Sequence, residues 1–432
     1  MTDPRRIVEL DKRHVWHPYT PMQRYVDETE PLVVVRAEGS RFFDATGRSY
    51  LDANSSWWCA SLGHGHPRLT AALCEQAARL CHVPLAGIAH EQAALLGAEL
   101  AQAAPSGLEH VFYSDDGSTA VEAALKLAVQ YSSQTGRPRR RRFVALDGAY
   151  HGETLGVSLL GGIEVFRRGI GGVALDCIRV PRGAGGYERA FSTLVELVEG
   201  YEAELAGVVL EPMLQGAAGM RTYDAELLRA ARDVTRRHGI PLIFDEVVTG
   251  YGRTGPMWAS EHAGVVPDVL CLAKGFTAGM LPMSATLTTH EVFAAFLGEP
   301  SRAFLHGHTF CGNPLGARLA REVLAIYRDE RVLEKARPKA EAIRAAFAAL
   351  GELPGVENAR SLGMVGALDL GESQGYLAES GWRVYDEALR RGAYLRPLGS
   401  TVYVAPALNI PDADLDELLG IVTASVRAVL GA

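Results

Sequence analysis

The chain has 432 residues, 48% hydrophobic and 22% charged, with a formal net charge of −8, which excludes long disordered spans and carries no electrostatic footprint for nucleic acid. No stretch is apolar for long enough to span a bilayer, and the start MTDPRRIVELDKRH lacks the apolar core of a secretion signal, so a cytoplasmic chain without membrane partners is expected. Six cysteines (59, 74, 81, 177, 271 and 311) are scattered with no C-x-x-C pair and read as reduced core residues.

In chain order, residues 30–53 alternate in hairpin fashion around Ala45-Thr46-Gly47-Arg48. His-x-His pairs at His64/His66 and His306/His308 come without an H-E-x-x-H pattern or a carboxylate cluster, so they are taken as turn and loop histidines and no metal site is assigned. Short apolar runs then alternate with amphipathic segments. The strand candidates are 110–114, 142–147, 177–180, 207–212, 241–248, 269–273 and 283–289; helical periodicity is clear over 118–134 and 224–239. The one basic run, 137–142 (RPRRRR), reads as a solvated loop before a strand. A long helix is expected from Gly316, followed by two more strand candidates at 364–370 and 401–407.

This pattern predicts an α/β fold: a large, mainly parallel sheet covered by helices, plus a smaller α+β domain built from both termini. The expected boundaries are 1–59 and 331–432 for the small domain and 60–330 for the large one. GYGRTG at 250–255 fits G-x-G-x-x-G after a strand, yet Pro256 and the short aromatic segment beyond it open no convincing helix. A glycine-rich loop is the reading, with a nicotinamide dehydrogenase as the rival it would imply.

The chemistry lies at successive strand ends. PLIFDEVV ends in Asp245 and Glu246, and VLCLA runs into Lys274, so one crossover sets a carboxylate and an amine on the same rim, where ligands gather in parallel sheets. A solvated lysine stem and a turn-capping aspartate are the bland alternatives. The pairing has a chemical use: pyridoxal phosphate needs a lysine for its Schiff base and an acid to keep the pyridine nitrogen protonated. YSDD runs into Gly117-Ser118 and a helix, which offers free N–H groups for a phosphate or an ordinary helix cap. Tyr150 follows another strand end, as a ring to stack on the pyridine or as a core tyrosine. Thr309, in HGHTFCGNP, is a further hydroxyl donor or part of an Asn-Pro turn.

These residues resemble the class III, fold-type I family of pyridoxal-phosphate aminotransferases over nearly the whole chain. The motifs are HVWHPYT (14–20), NSSWWCASLGHGHP (54–67), GSTAVEAALK (117–126), YHGET (150–154), LEPMLQGAAGM (210–220), DEVVTGYGRTG (245–255), LAKG (272–275), HGHTFCGNP (306–314) and LRPLGSTVYVAP (395–406). Within the family the likeness is greatest to the branch of biotin synthesis that aminates 8-amino-7-oxononanoate. The resemblance implies Lys274 as the Schiff-base lysine and Asp245 as the pyridine partner. It implies Gly117, Ser118 and Thr309 at the phosphate, with His308 and Thr309 supplied by the neighbouring subunit of a homodimer. Tyr19, Trp57, Tyr150, Gly307 and Arg396 are implied at the substrate, with Arg396 on its carboxylate; Trp58 is open between pocket and core, and Arg253 between pocket and structure. Ala217 stands where relatives that use glutamate or ω-amino acids carry an acid, which favours the biotin branch. Glu153 in place of Asp and His308 in place of Pro are departures that leave the donor open between S-adenosyl-L-methionine, the expected one, and lysine. An ω-amino acid:pyruvate aminotransferase is the nearest rival.

Overall fold

The computed structural model describes residues 3–167, 175–183, 186–371 and 376–431. Its centre is a seven-stranded sheet in the order Leu108–Ser114, Ser284–Thr289, Val269–Leu272, Leu242–Asp245, Leu205–Leu210, Arg142–Leu146, Cys177–Val180. Pairing is parallel from Val269–Leu272 outward to Cys177–Val180, whereas Ser284–Thr289 runs antiparallel to both of its neighbours. The central strands read as continuous apolar runs because helices cover both faces: every residue of Leu205–Leu210, Leu242–Asp245 and Val269–Leu272 is buried.

The predicted helices form as Gly117–Gln134, Ala225–Arg237 and Pro314–Asp329. The first is capped by Asp116, whose carboxylate accepts from the Thr119 N–H at 2.9 Å, the reciprocal capping box that fixes where a helix begins. Strand candidates 241–248 and 401–407 are shorter than expected, ending at Asp245 and Val404. The first stops because Asp245 turns its own chain, accepting from the Val247 N–H at 3.0 Å.

A second sheet pairs Val34–Glu38, Arg41–Asp44 and Ser49–Asp52 with Ala393–Tyr394, so chain from both ends meets in one layer. The expected turn at 45–48 is held by Asp44, whose Oδ1 accepts from Thr46 N and Arg48 N at 2.8 and 3.0 Å. A third sheet, Val356–Leu362, Val365–Leu370 and Thr401–Val404, packs against the helix Val332–Gly351. The strand Val356–Leu362 escaped sequence reading because its mostly polar, half-exposed residues show no alternation.

Two expectations are corrected. The run at 137–142 is not simply solvated: Arg140 is buried and donates to the carbonyls of Gly239 and His238 at 2.5 and 2.8 Å, satisfying groups left free past the end of Ala225–Arg237. Of the six cysteines, all free, Cys271 alone is fully buried, and Cys74 and Cys81 are exposed. GYGRTG is a run of turns rather than a helix start, and Gly252 within it is packed so tightly that a Cβ would lie 2.3 Å from Leu333 Cδ2.

Glu246 braces this scaffold from a fully buried position, accepting from the Ala259 and Ser260 N–H groups at 2.7 and 2.9 Å. Desolvation nevertheless raises its pKa to about 7. Between its ordinary value of about 4.5 and that point the folded chain holds a proton the unfolded chain has released, so this group's contribution to stability declines as pH rises through the interval. Thermal midpoints measured from pH 5 to 8 should therefore fall less steeply for Glu246→Gln, which mimics the neutral acid, than for the native chain. Parallel curves would contradict this assignment.

Candidate active site

Parallel register opposes Asp245 to Cys271, which leaves Lys274 just past the adjacent strand end. Lys274 is a non-glycine residue at φ 49°, opening a single 3₁₀ turn through Thr277, and this left-handed start turns its side chain off the strand direction. The residue is half-buried because it lines two cavities. The amine sits deep among protein atoms, so desolvation lowers its pKa against the opposing pull of Asp245. Its Nζ lies 5.3 Å from the centre of the Trp58 ring.

The first cavity, about 330 Å³, gathers the polar side chains of Lys274, Asp245, Glu211, His151 and Tyr150 with the Asp116-Gly117-Ser118 helix start. Asp245 Oδ2 lies 2.7 Å from Nδ1 of the fully buried His151. Burial alone would lower the His151 pKa, and the Asp245 contact more than offsets it, so the imidazole is held above its ordinary value. Glu211 accepts from the N–H groups of Tyr150 and Gly216 at 3.1 and 3.0 Å, and desolvation raises its pKa to about 7. Gly117 is required here, since a Cβ would approach Val247 Cγ1 to 2.8 Å. Gly152, at φ 121°, would set one 2.0 Å from Ser118 Oγ.

The second cavity, about 290 Å³, is aromatic: Tyr19, Trp57, Trp58, Tyr150, Phe166 and Tyr376 surround it, with Ala217 and Lys274 in the wall. Tyr19 and Tyr150 share a hydrogen bond of 2.6 Å, and the Tyr19 hydroxyl donates to Glu153 Oε1 at 3.1 Å. The two tryptophans sit on a strained turn, since Ser55, Ser56, Trp57 and Trp58 all have φ between 45° and 70°. The turn is held by the Trp58 N–H on Asn54 O at 2.8 Å, Ser55 Oγ on Ala405 O at 2.7 Å and Trp58 Nε1 on Tyr403 Oη at 3.0 Å. Trp58 therefore serves both core and pocket, while Trp57 is exposed and faces the guanidinium of Arg396 at 4.9 Å. Trp382 approaches the same guanidinium at 5.8 Å.

The structure thus brings together Lys274, Asp245, Gly117, Ser118, Tyr150, Tyr19 and Trp57, with Arg396 beside Trp57. It does not bring Gly307, His308 and Thr309 to either cavity of the same chain; Gly307 and Thr309 are exposed. Arg253 is fully buried, donates to Pro406 O at 2.7 Å, and has its pKa lowered by desolvation to about 10. Sequence reading assigned no role to Glu211 and His151, although both lie inside the quoted motifs. Phe166 and Tyr376 carried no motif at all, because nothing local marks an aromatic residue brought in from a distant segment.

The class-III aminotransferase profile matches residues 22–426. The chain is 38% identical to the adenosylmethionine-8-amino-7-oxononanoate aminotransferase of Geobacter sulfurreducens over 99% of each chain. It is 40% identical to the protein of that name from Nitratidesulfovibrio vulgaris, over 98% of this chain and 82% of that one. The chain belongs to the class-III aminotransferases. The crystal structure of the Methanocaldococcus jannaschii adenosylmethionine-8-amino-7-oxononanoate aminotransferase superposes with a TM-score of 0.95 at 33% identity, covering 99% of each chain. An (S)-enantioselective omega-transaminase of Thermomicrobium roseum superposes at 0.93 with 30% identity and full coverage of both, so the backbone is common to the family and pocket side chains must carry selectivity. The chain is accordingly an enzyme of the fold-type I architecture, and among its described residues no helix is long and apolar enough to cross a membrane.

Gly152→Ala should disturb the first cavity where Ser118 lines it. The added methyl collides with Ser118, and small-to-large insertion in tight packing costs about 1–3 kcal/mol. A lowered thermal midpoint together with weakened retention of phosphate-bearing ligands is expected; an unchanged melting curve would refute the contact.

Proposed function

We propose that this enzyme is a cytoplasmic, homodimeric, pyridoxal-phosphate-dependent aminotransferase that converts 8-amino-7-oxononanoate into 7,8-diaminononanoate in biotin synthesis, with S-adenosyl-L-methionine as amino donor. The observation that carries it is the meeting of a polar and an aromatic cavity at one deep-set amine. The names and near-complete coverage of the relatives support the substrate assignment. The division into residues 1–59, 60–330 and 331–432 is part of the same reading, supported by the sheet that joins Ser49–Asp52 to Ala393–Tyr394.

The residues present fit pyridoxal phosphate. Val247 and Ser118 leave no room for a Cβ at Gly117 and Gly152, so the backbone can close on a phosphate at the start of Gly117–Gln134, where N–H groups and the helix dipole favour an anion. Lys274 would be the covalent anchor, Asp245 the partner of the ring nitrogen, and Tyr150 the stacking face. His308 and Thr309 of a second copy would complete the phosphate site, consistent with the exposure of Thr309. When bound, the cofactor supplies an electron sink for the pair left as a substrate C–H bond is broken.

The protein's own groups do the rest. Lys274, whose ammonium form is disfavoured by desolvation, supplies an amine suited to carrying a proton at the reacting carbon. His151 fixes the Asp245 carboxylate from a fully buried position, where a charged partner acts strongly on a ring nitrogen. The aromatic walls exclude water and offer area to an aliphatic chain and ring faces to a sulfonium cation. Arg396 would receive the carboxylate, since its planar fork suits two oxygens at once. Lysine as donor stays a second reading on one observation: Glu153, hydrogen-bonded to Tyr19 at the rim, suits an ammonium as well as a sulfonium.

Incubation with 8-amino-7-oxononanoate and, in separate reactions, S-adenosyl-L-methionine, lysine or an ω-amino acid should give diamine most rapidly with the first donor. Turnover with ω-amino acids and pyruvate alone would replace this reading by the ω-transaminase one. Lys274→Ala should abolish turnover and leave a cofactor that dialyses away. Arg396→Met should raise KM for the keto acid on the order of 10- to 100-fold while the bound cofactor's absorbance persists, as expected for one lost charge-assisted contact.

A further inference from the structure

We propose that Asp115, His308 and Cys311 of one chain form a binding site for a thiophilic divalent metal ion of the zinc class, at the margin of the first cavity. Asp115 directly follows the strand Leu108–Ser114, and His308 and Cys311 lie three residues apart in the loop before Pro314–Asp329, so two separate pieces of chain converge. One donor atom from each, a carboxylate oxygen, an imidazole nitrogen and a thiol sulfur, lies within 4.8 Å of the other two, and all three residues are half-buried.

The orientation of the donors argues for a cation rather than an ordinary ion pair. His308 Nδ1 stands 3.1 Å from Asp115 Oδ2, yet among the described residues this nitrogen has no hydrogen-bond partner, and neither has the shielded Asp115 Oδ1. A close nitrogen and oxygen that fail to hydrogen-bond are placed as two ligands of one centre are placed: donors about 2.0–2.3 Å from a tetrahedral ion stand a little over 3 Å apart. The sulfur is also fixed in place, since the His308 backbone N–H donates to Cys311 Sγ at 3.1 Å. Mixed nitrogen, sulfur and oxygen donors suit zinc and its cobalt surrogate and discriminate against magnesium and calcium, which prefer oxygen alone. Three protein ligands leave a fourth position for water. Binding deprotonates the thiol and displaces any proton on Nδ1, and no redox step is involved.

An occupied site would tie the 306–313 loop to the residue preceding Asp116-Gly117-Ser118, placing positive charge beside the polar cavity that Asp115 also lines. The test is titration of chelator-treated holoenzyme with Co²⁺ and then Zn²⁺. One equivalent of cobalt per chain should give the visible ligand-field bands of a four-coordinate ion, to the red of the cofactor's absorption, and zinc should erase them. Cys311→Ser should lower affinity on the order of 100-fold or more, since loss of even an outer-sphere partner costs 10–100-fold. Asp115→Asn should weaken binding as well, while the double variant Cys74→Ser/Cys81→Ser, at the exposed thiols, should leave the bands intact. Absent bands, bands unchanged in Cys311→Ser with an unaltered holoenzyme spectrum, or bands lost in the Cys74/Cys81 variant would each overturn the proposal.

Discussion

A primary amine taken out of water among apolar and aromatic neighbours is the constraint on which the rest of this site depends. Lys274 reaches that condition because a strand buried on all sides ends two residues earlier and the chain then turns left-handed, so its side chain enters the interior rather than solvent. Desolvation disfavours its ammonium form, and Asp245 on the neighbouring strand opposes that effect without cancelling it. Were the two strands not adjacent and parallel, the carboxylate and the amine could not share one rim. The His151 contact and the backbone N–H donors on Glu211 follow from the same need, since carboxylates placed so deep require partners.

Much of this was legible in the sequence because it is local. A strand that ends in a charged residue, a glycine ahead of a helix and an aspartate that caps that helix are signals a few residues long, and Lys274, Asp245, Gly117 and Ser118 came from them. Family likeness added Tyr19, Trp57 and Arg396, which no periodicity would have singled out. What stayed hidden depends on tertiary context. Phe166 and Tyr376 enter the aromatic cavity from segments with no pattern of their own, and their edge-to-face contact at 4.8 Å exists only once the fold is complete. Arg140 looked solvated because a run of arginines normally is, and only packing beside Gly239 gives it carbonyls to satisfy.

Backbone strain marks the same region from another direction. Four consecutive non-glycine residues at positive φ would cost roughly 1–2 kcal/mol each in isolation, so the turn Ser55–Trp58 persists only because its surroundings determine it. Those surroundings are largely the far end of the chain, for Tyr403 and Ala405 receive hydrogen bonds from Trp58 and Ser55. Folding of the C-terminal sheet is thereby coupled to the placement of the indoles. This gives a physical reason for chain from near both ends to meet at Trp58, whose ring lies 5.3 Å from the Lys274 amine.

Polarity within the aromatic cavity narrows what the proposed reading can accept. Glu153 accepts from the hydroxyl of Tyr19, a residue of the cavity wall, and from Ser158 Oγ at 3.0 Å. Arg396 lies near the Trp57 and Trp382 rings, and its backbone N–H is taken by Asn54 Oδ1 at 2.8 Å, which fixes the base of the side chain. Ala217, in the cavity wall, adds no charge of its own. With Glu153 on the Tyr19 hydroxyl and Arg396 against Trp57, and with Tyr19 and Trp57 both in the cavity wall, the proposed reading favours a ligand with separated opposite charges and an apolar middle. Because relatives with other substrates share the backbone, the proposed reading assigns selectivity to these pocket side chains and not to the sheet.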